Sequence, residues 1–292
     1  MPELPEVETV RSGLVKLLPG KIIASVNFDW PKGFPNAQTD VDVFMIGASI
    51  KDVRRRAKVL LIDLSTSYTL VCHLKMTGQF VFRGGEEFGA GHPNDSLIGV
   101  LPDKSTRVII EFSDGTHLYF NDQRKFGWMR LMPSVQVPEL DFFKKVGPEP
   151  LSDDFTSKDF IQRLQRRKNT SIKAALLDQT VIAGVGNIYA DESLWGAKIH
   201  PATKVTNVSD AKLKLLYSEL RYVLGLAIEK GGSTNKNYVN AEGKRGSYMD
   251  FARVFRRENQ PCPRCGTIIE KSRVAGRGTH TCPTCQSLRI TK

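Results

Sequence analysis

No stretch of eighteen residues in this 292-residue chain is free of charged side chains. A transmembrane helix, which needs about 20 predominantly apolar residues, is therefore excluded. The first residues also lack the basic region and apolar run of a secretory signal, because Glu3, Glu6 and Glu8 stand there instead. The expectation is a protein that stays in the cytoplasm and meets no membrane. Internal repeats and low-complexity tracts are missing as well. Cysteine is scarce, five in all with four gathered near the C-terminus. That distribution is wrong for a disulfide scaffold and points to metal binding in a reducing compartment. The 40% of apolar residues is enough for real cores, which excludes global disorder.

Acidic residues are short in one half only. The chain has 42 Lys plus Arg against 31 Asp plus Glu, a formal charge of +11. Residues 1–152 hold 18 of each sign, whereas residues 153–292 hold 24 basic against 13 acidic. The excess lies wholly beyond a Pro-rich stretch, Val146-Gly147-Pro148-Glu149-Pro150, that reads as a linker. Such asymmetry marks a surface built for a polyanion.

Apolar positions at Leu4, Val7, Val10, Leu14 and Leu17/Leu18, with Pro5 early and Pro19-Gly20 as a stop, predict one amphipathic helix. From Ile22 to Met132 the runs shorten to strand length: 59–64, 68–74, 79–82, 107–112 and 116–120. Their spacing argues for a sandwich or barrel. Residues 84–104 have no period and read as a long loop. After the linker the period becomes helical, giving four helices around Phe160–Leu164, Ile172–Leu177, Ile188–Trp195 and Leu213–Ala227. The polar, Gly-containing stretch 231–250 reads as a loop, and the tail from about 251 has too few apolar residues to fold without a staple.

That staple is legible. Cys262-x2-Cys265 and Cys282-x2-Cys285 fit two knuckles of a four-thiolate tetrahedral zinc site of the zinc-ribbon kind, closed and therefore structural. Two disulfides or unliganded thiols are the competing readings. Cys72, in a strand pattern, is most simply a buried apolar residue. Residues 242–292 carry 11 Lys/Arg against 4 Asp/Glu, and glycines flank Arg277, freeing its guanidinium to reach a phosphate. An ordinary solvated charge run is the bland alternative; the metal scaffold and the charge asymmetry favour nucleic acid.

At the other end, removal of Met1 would expose Pro2 as a secondary amine able to attack an electrophilic sugar carbon. An α-amino group titrates near ~8, against ~10 for lysine, so more of it is free to act. Glu3 is the nearest acid. The segment Met1-Pro2-Glu3-Leu4-Pro5-Glu6-Val7-Glu8-Thr9-Val10-Arg11 closely resembles the start of the formamidopyrimidine-DNA glycosylases. The likeness recurs in Arg56-Ala57-Lys58, in 73–78 (His-Leu-Lys-Met-Thr-Gly), in 121–127 (Asn-Asp-Gln-Arg-Lys-Phe-Gly), in 147–150, in 184–192 (Gly-Val-Gly-Asn-Ile-Tyr-Ala-Asp-Glu), in 231–234 and in 276–279.

This resemblance implies a multidomain α+β chain: an N-terminal β-sandwich with an N-terminal helix over 1–135, a linker at 136–152, a helix-two-turn-helix domain with a lesion-capping loop over 153–250, and a zinc-ribbon finger over 251–292. It implies one structural zinc on Cys262, Cys265, Cys282 and Cys285. It also implies double-stranded DNA with oxidised bases or abasic sites as partner, a monomer in action, and a bacterial, nucleoid-associated setting. Pro2 would be the nucleophile at the sugar C1′, Glu3 the acid at the ring oxygen, Lys58 a helper of β-elimination, and Arg277 a participant in δ-elimination. Met76, Arg124 and Phe126 would fill the gap left by the flipped nucleotide. His73, Lys168 and Asn187 would contact the backbone.

The chain also departs from the family. The 84–104 segment is long, and Lys104-Ser105-Thr106-Arg107 stands where a DNA-contacting histidine is expected, leaving Arg107 or His92 as substitutes. Val254-Phe255-Arg256-Arg257 adds charge near the finger, and the 235–250 loop is divergent. Excision of oxidised purines such as 8-oxoguanine and formamidopyrimidines, with β,δ-elimination, is the leading expectation. An endonuclease VIII-like activity on oxidised pyrimidines and a non-catalytic damage-binding protein are the alternatives.

Overall fold

The apolar spacing at the start of the chain produces helix α1 (Leu4–Leu17), which buries Leu4, Val7, Val10, Gly13 and Leu14. Its first turn is closed by a capping box: the Glu3 N–H donates to Glu6 Oε2 at 2.8 Å while the Glu3 carboxylate accepts from the Glu6 N–H. Pro5 sits where a missing N–H removes only a group that no helical carbonyl could reach. The computed structural model describes residues 2–92, 94–233 and 248–288. These form two compact units, Met1–Lys144 with Lys230–Ser247, and Lys145–Glu229 with Tyr248–Lys292.

In the first unit α1 is followed by β1 (Ile23–Phe28), α2 (Gln38–Phe44), β2 (Ile50–Arg56), β3 (Val59–Leu64), β4 (Tyr68–His73), β5 (Gly78–Arg83), β6 (Phe88–Gly91), β7 (Thr106–Phe112), β8 (His117–Asp122), β9 (Trp128–Pro133) and α3 (Asp141–Lys145). The strands make a five-stranded sheet, β1-β7-β8-β5-β6, and a four-stranded sheet, β2-β3-β4-β9, with every pairing antiparallel. One core joins them: Val7, Val10 and Leu14 of α1 pack with Leu60, Ile62 and Leu70 of one sheet and Phe80, Ile110 and Phe120 of the other.

Strands such as Val59-Leu60-Leu61-Ile62 are apolar without a break because both faces are covered. Val59, Leu61 and Val71 turn away from that core onto Val137, Leu140 and Phe143. On the other sheet Val81 and Tyr119 are covered by Leu97 and Leu101. This is the task of the segment read as a structureless loop. It contains β6, which pairs with β5, and a short helical turn at Asp95–Leu97. Gly89 and Gly91 hid the strand from a propensity reading. Phe88 fixes it by lying on Gly13 of α1, where an added Cβ would come within 2.0 Å of the ring. β1, β2 and α2 were likewise not singled out, their polar residues breaking the apolar pattern, and neither was β9, whose one polar residue is Arg130.

The second unit contains α4 (Ser157–Gln165), α5 (Ile172–Leu177), α6 (Asn187–Gly196), α7 (Asp210–Glu229) and the hairpin β10 (Glu270–Val274) with β11 (Arg277–Thr281). Leu164, Leu176, Tyr189, Leu194, Leu216, Leu220 and Leu224 share its core. α5 and α6 are joined by two turns, stapled by Gln179: its amide donates to Leu177 O and Val185 O, and its carbonyl accepts from the Gly184 N–H. Among the described residues no helix is long and apolar enough to cross a membrane.

Candidate active site

Strand register gathers the candidate residues of the first unit. Val59 pairs with His73 and His73 with Trp128, while Gly78 pairs with Asp122. The turn 57–58 and the connections 74–77 and 123–127 therefore leave the two sheets at one end. The start of α1 is brought to that end by Arg55, which donates to Glu8 Oε2 at 2.7 Å and to Ala57 O at 2.8 Å. Pro2 and Glu3 are buried there, and Lys58, 7% exposed, is the second residue of the β2–β3 turn. Its predecessor Ala57 holds φ at 54°, a left-handed conformation that costs a non-glycine residue about 1–2 kcal/mol.

His73 is set beside them as a neutral ring. Its Nδ1 accepts the Lys75 N–H at 3.0 Å, which leaves the ring proton on Nε2. Burial, with the charges of Lys75 and Lys58 adding to it, lowers its pKa to about 3. It can thus donate one hydrogen bond to a phosphate oxygen without carrying charge.

Met76 and the pair Arg124 and Phe126 lie on neighbouring connections locked by a buried carboxylate. Asp122 accepts from the Thr77 hydroxyl, from the Arg124 N–H at 3.2 Å and from the Gly127 N–H at 2.7 Å. Thr77 Oγ1 in turn accepts the Arg124 N–H at 3.0 Å. Beyond this anchor the tips are open: Phe126 is 52% exposed, and the Arg124 guanidinium lies 4.7 Å from its ring centroid. Arg107 does not take the place of the expected histidine. It is buried, and its guanidinium donates to the carbonyls of Asp122 and Lys104 at 2.9 and 2.8 Å. His92 is half-buried, which lowers its pKa.

In the second unit Arg277 is exposed at the first position of β11, after a tight turn in which Ala275 and Gly276 both have positive φ. Asn187 opens α6 and donates through Nδ2 to Gly278 O at 3.0 Å, so the helix start and the finger hairpin are joined beside Arg277. The wholly buried Lys173 strengthens that joint, reaching Asp191 Oδ1 at 2.6 Å, Thr279 Oγ1 at 2.7 Å and Gly278 O at 3.1 Å. Lys168 is exposed on the turn between α4 and α5. The 235–250 loop falls largely on 234–247, outside the described residues. Its base, Ser233, donates its N–H to Glu6 Oε1 at 2.8 Å.

The four cysteines converge. Their sulfurs all lie within 4.8 Å of one another, with separations of 4.0, 3.4 and 3.5 Å among the closest pairs. Zinc–sulfur bonds of about 2.3 Å give a tetrahedron with edges of about 3.8 Å, so the cluster fits one zinc ion with no open position. The Thr267 hydroxyl and amide draw the Cys265 thiol down to about 6, favouring the thiolate that a metal needs. Cys72 is fully buried and its thiol is pushed up by that burial, as an inert core residue should be.

Sequence reasoning singled out no role for Asp122, Glu6, Asp191 or Glu192. Glu192, wholly buried, accepts the N–H groups of Arg253, Val254 and Phe255, and so ties α6 to the segment leading into the finger. A signal existed: two consecutive acids inside an otherwise apolar helix are costly unless paired.

Three family models cover the chain: the formamidopyrimidine-DNA glycosylase N-terminal domain over residues 1–129, its H2TH domain over 146–238, and the zinc finger found in FPG and IleRS over 259–288. The formamidopyrimidine-DNA glycosylase of Pediococcus pentosaceus is 44% identical over 291 residues, covering 99% of this chain and 100% of that protein. That of Pelotomaculum thermopropionicum is 41% identical over 290 residues, with 99% and 100% covered. A Lactococcus lactis FPG mutant bound to Fapy-dG-containing DNA superposes with a TM-score of 0.87 at 34% identity, covering 98% of this chain and 100% of that one. MutM in complex with carbocyclic 8-oxo-G containing DNA gives 0.85 at 34% identity and the same coverage. The chain belongs to the formamidopyrimidine-DNA glycosylase family.

Proposed function

We propose that this chain excises oxidised purines, 8-oxoguanine and formamidopyrimidines, from duplex DNA and then cuts the abasic strand. The observation that carries this reading is the convergence of Pro2, Glu3 and Lys58 on the end of the sandwich that also presents Met76, Arg124 and Phe126. With Met1 removed, the Pro2 nitrogen attacks C1′ and the glycosidic electron pair leaves with the base. Glu3 protonates the sugar ring oxygen as the ring opens to a cationic imine. That imine acidifies the C2′ protons; Lys58 assists loss of one of them as the 3′ phosphate departs, and loss of the C4′ proton from the resulting conjugated imine then expels the 5′ phosphate, assisted by Arg277. His73, Lys168 and Asn187 hold the backbone. Flipping the nucleotide costs a few kcal/mol, and the Met76, Arg124 and Phe126 side chains offset it by filling the vacated stack. An enzyme with this substrate works in the cytoplasm, on nucleoid DNA.

Borohydride reduction of the protein mixed with an 8-oxoguanine duplex should yield a covalent adduct at Pro2, and Pro2→Gly should abolish it. An adduct that survives the substitution would sink the mechanism. Retention of Met1 in the intact mass would block the amine and favour a damage-binding role. Preferential excision of thymine glycol in parallel assays would favour oxidised pyrimidines as substrates.

A further inference from the structure

A zinc ion with four thiolates carries two negative charges in excess, and such a site needs donors directed at its sulfurs. The main chain supplies one, the Cys285 N–H 3.4 Å from Cys282 Sγ. One donor comes from outside the finger. Trp195, near the end of α6, is 5% exposed and packs with Val254, Ile269, Cys262 and Cys282. Its Nε1 is completely buried and makes no hydrogen bond of ordinary geometry among the described residues. A buried indole N–H without a partner is a donor whose desolvation nothing offsets.

The ring is held firmly. The Arg264 guanidinium, between the two cysteines of the first knuckle, lies 3.8 Å from the indole centroid and donates to Trp195 O at 3.1 Å and Gly196 O at 3.3 Å. The Arg253 guanidinium lies 4.9 Å from the same centroid. The indole interacts with the Cys262 sulfur at a geometry short of an ordinary hydrogen bond.

We propose that Trp195 donates an N–H···S hydrogen bond to the zinc-bound Cys262 thiolate, so that a side chain of the helical domain helps to retain the metal of the finger. The bond answers the orphaned indole, and it explains why Arg264 is spent on holding this one ring rather than projecting outward. The inference concerns metal retention and is independent of the excision reaction.

The holoprotein loaded with cadmium-113 tests it directly. One tryptophan indole proton should show scalar coupling to the metal, and that resonance should vanish in Trp195→Phe, which keeps the ring and removes the donor. Zinc release to a chromogenic pyridylazo chelator should be at least tenfold faster from Trp195→Phe, in line with the 10–100-fold effects of groups that hydrogen-bond to metal ligands. Absence of coupling in the wild-type protein would overturn the proposal, as would equal release rates for the two proteins. The coupling measurement stands even if the variant folds poorly.

Discussion

His73 shows how one side chain's surroundings set its charge state. Its folded pKa of about 3 lies below the ordinary 6.5, so between those values the folded chain binds fewer protons than the unfolded one. Its contribution to stability is therefore fully present above pH 6.5 and is lost as pH falls toward 3. Thermal melts should show His73→Gln losing less of its melting temperature than the wild type between pH 6.5 and 4; parallel declines would contradict this. The four thiols were legible because knuckle spacing restricts what they can hold; the proposed roles of Pro2 and Glu3 rest likewise on a secondary amine that loss of Met1 would expose beside an acid. Trp195 was not, because an indole in an apolar helix face reads as core until its neighbour is known to be a metal ligand.

Elements are placed by such residues as much as by strand pairing. The two connections that carry Met76 and the Arg124 and Phe126 pair are fastened by Asp122, whose partner Thr77 is 45 residues away in the chain. Hydrogen bonds to a charged group contribute about 1.5–3 kcal/mol. Asp122→Ala should lower stability by about that amount in denaturant titrations. It should also weaken binding to an abasic-site duplex more than to undamaged DNA, because it loosens the side chains proposed to fill the gap and leaves the proposed phosphate contacts in place. Equal weakening on both would refute the positioning role. Helices α1 and α4 to α7 and the central strands were legible from their periods, whereas β6 was not: its conformation depends on Phe88 meeting Gly13 of α1, a contact no local window contains.

For the whole molecule, charge is the relevant quantity. The basic excess of residues 153–292 should make DNA binding fall steeply with salt, by about 0.9 in the logarithmic slope for each phosphate neutralised. Lys168→Ala should reduce that slope by about one such step on any sequence while leaving trapping at Pro2 intact. An unchanged slope would remove Lys168 from the DNA contacts. That the partner is a polyanion was evident from composition, since charge counts need no coordinates. That the second half also carries its own buried ion pair, Lys173 with Asp191, was not, since a pair is defined by proximity and not by number.

The contact between Glu6 and Ser233 spans 227 residues of chain. During synthesis the amino end emerges first, yet this tether cannot close until Ser233 has left the ribosome. At about 5–20 residues per second that is a delay of roughly 10–45 seconds. By then α4 to α7 have all been translated. The nascent enzyme thus has helices α4 to α7 before the anchor of its first helix is in place, an order set by the path of the chain.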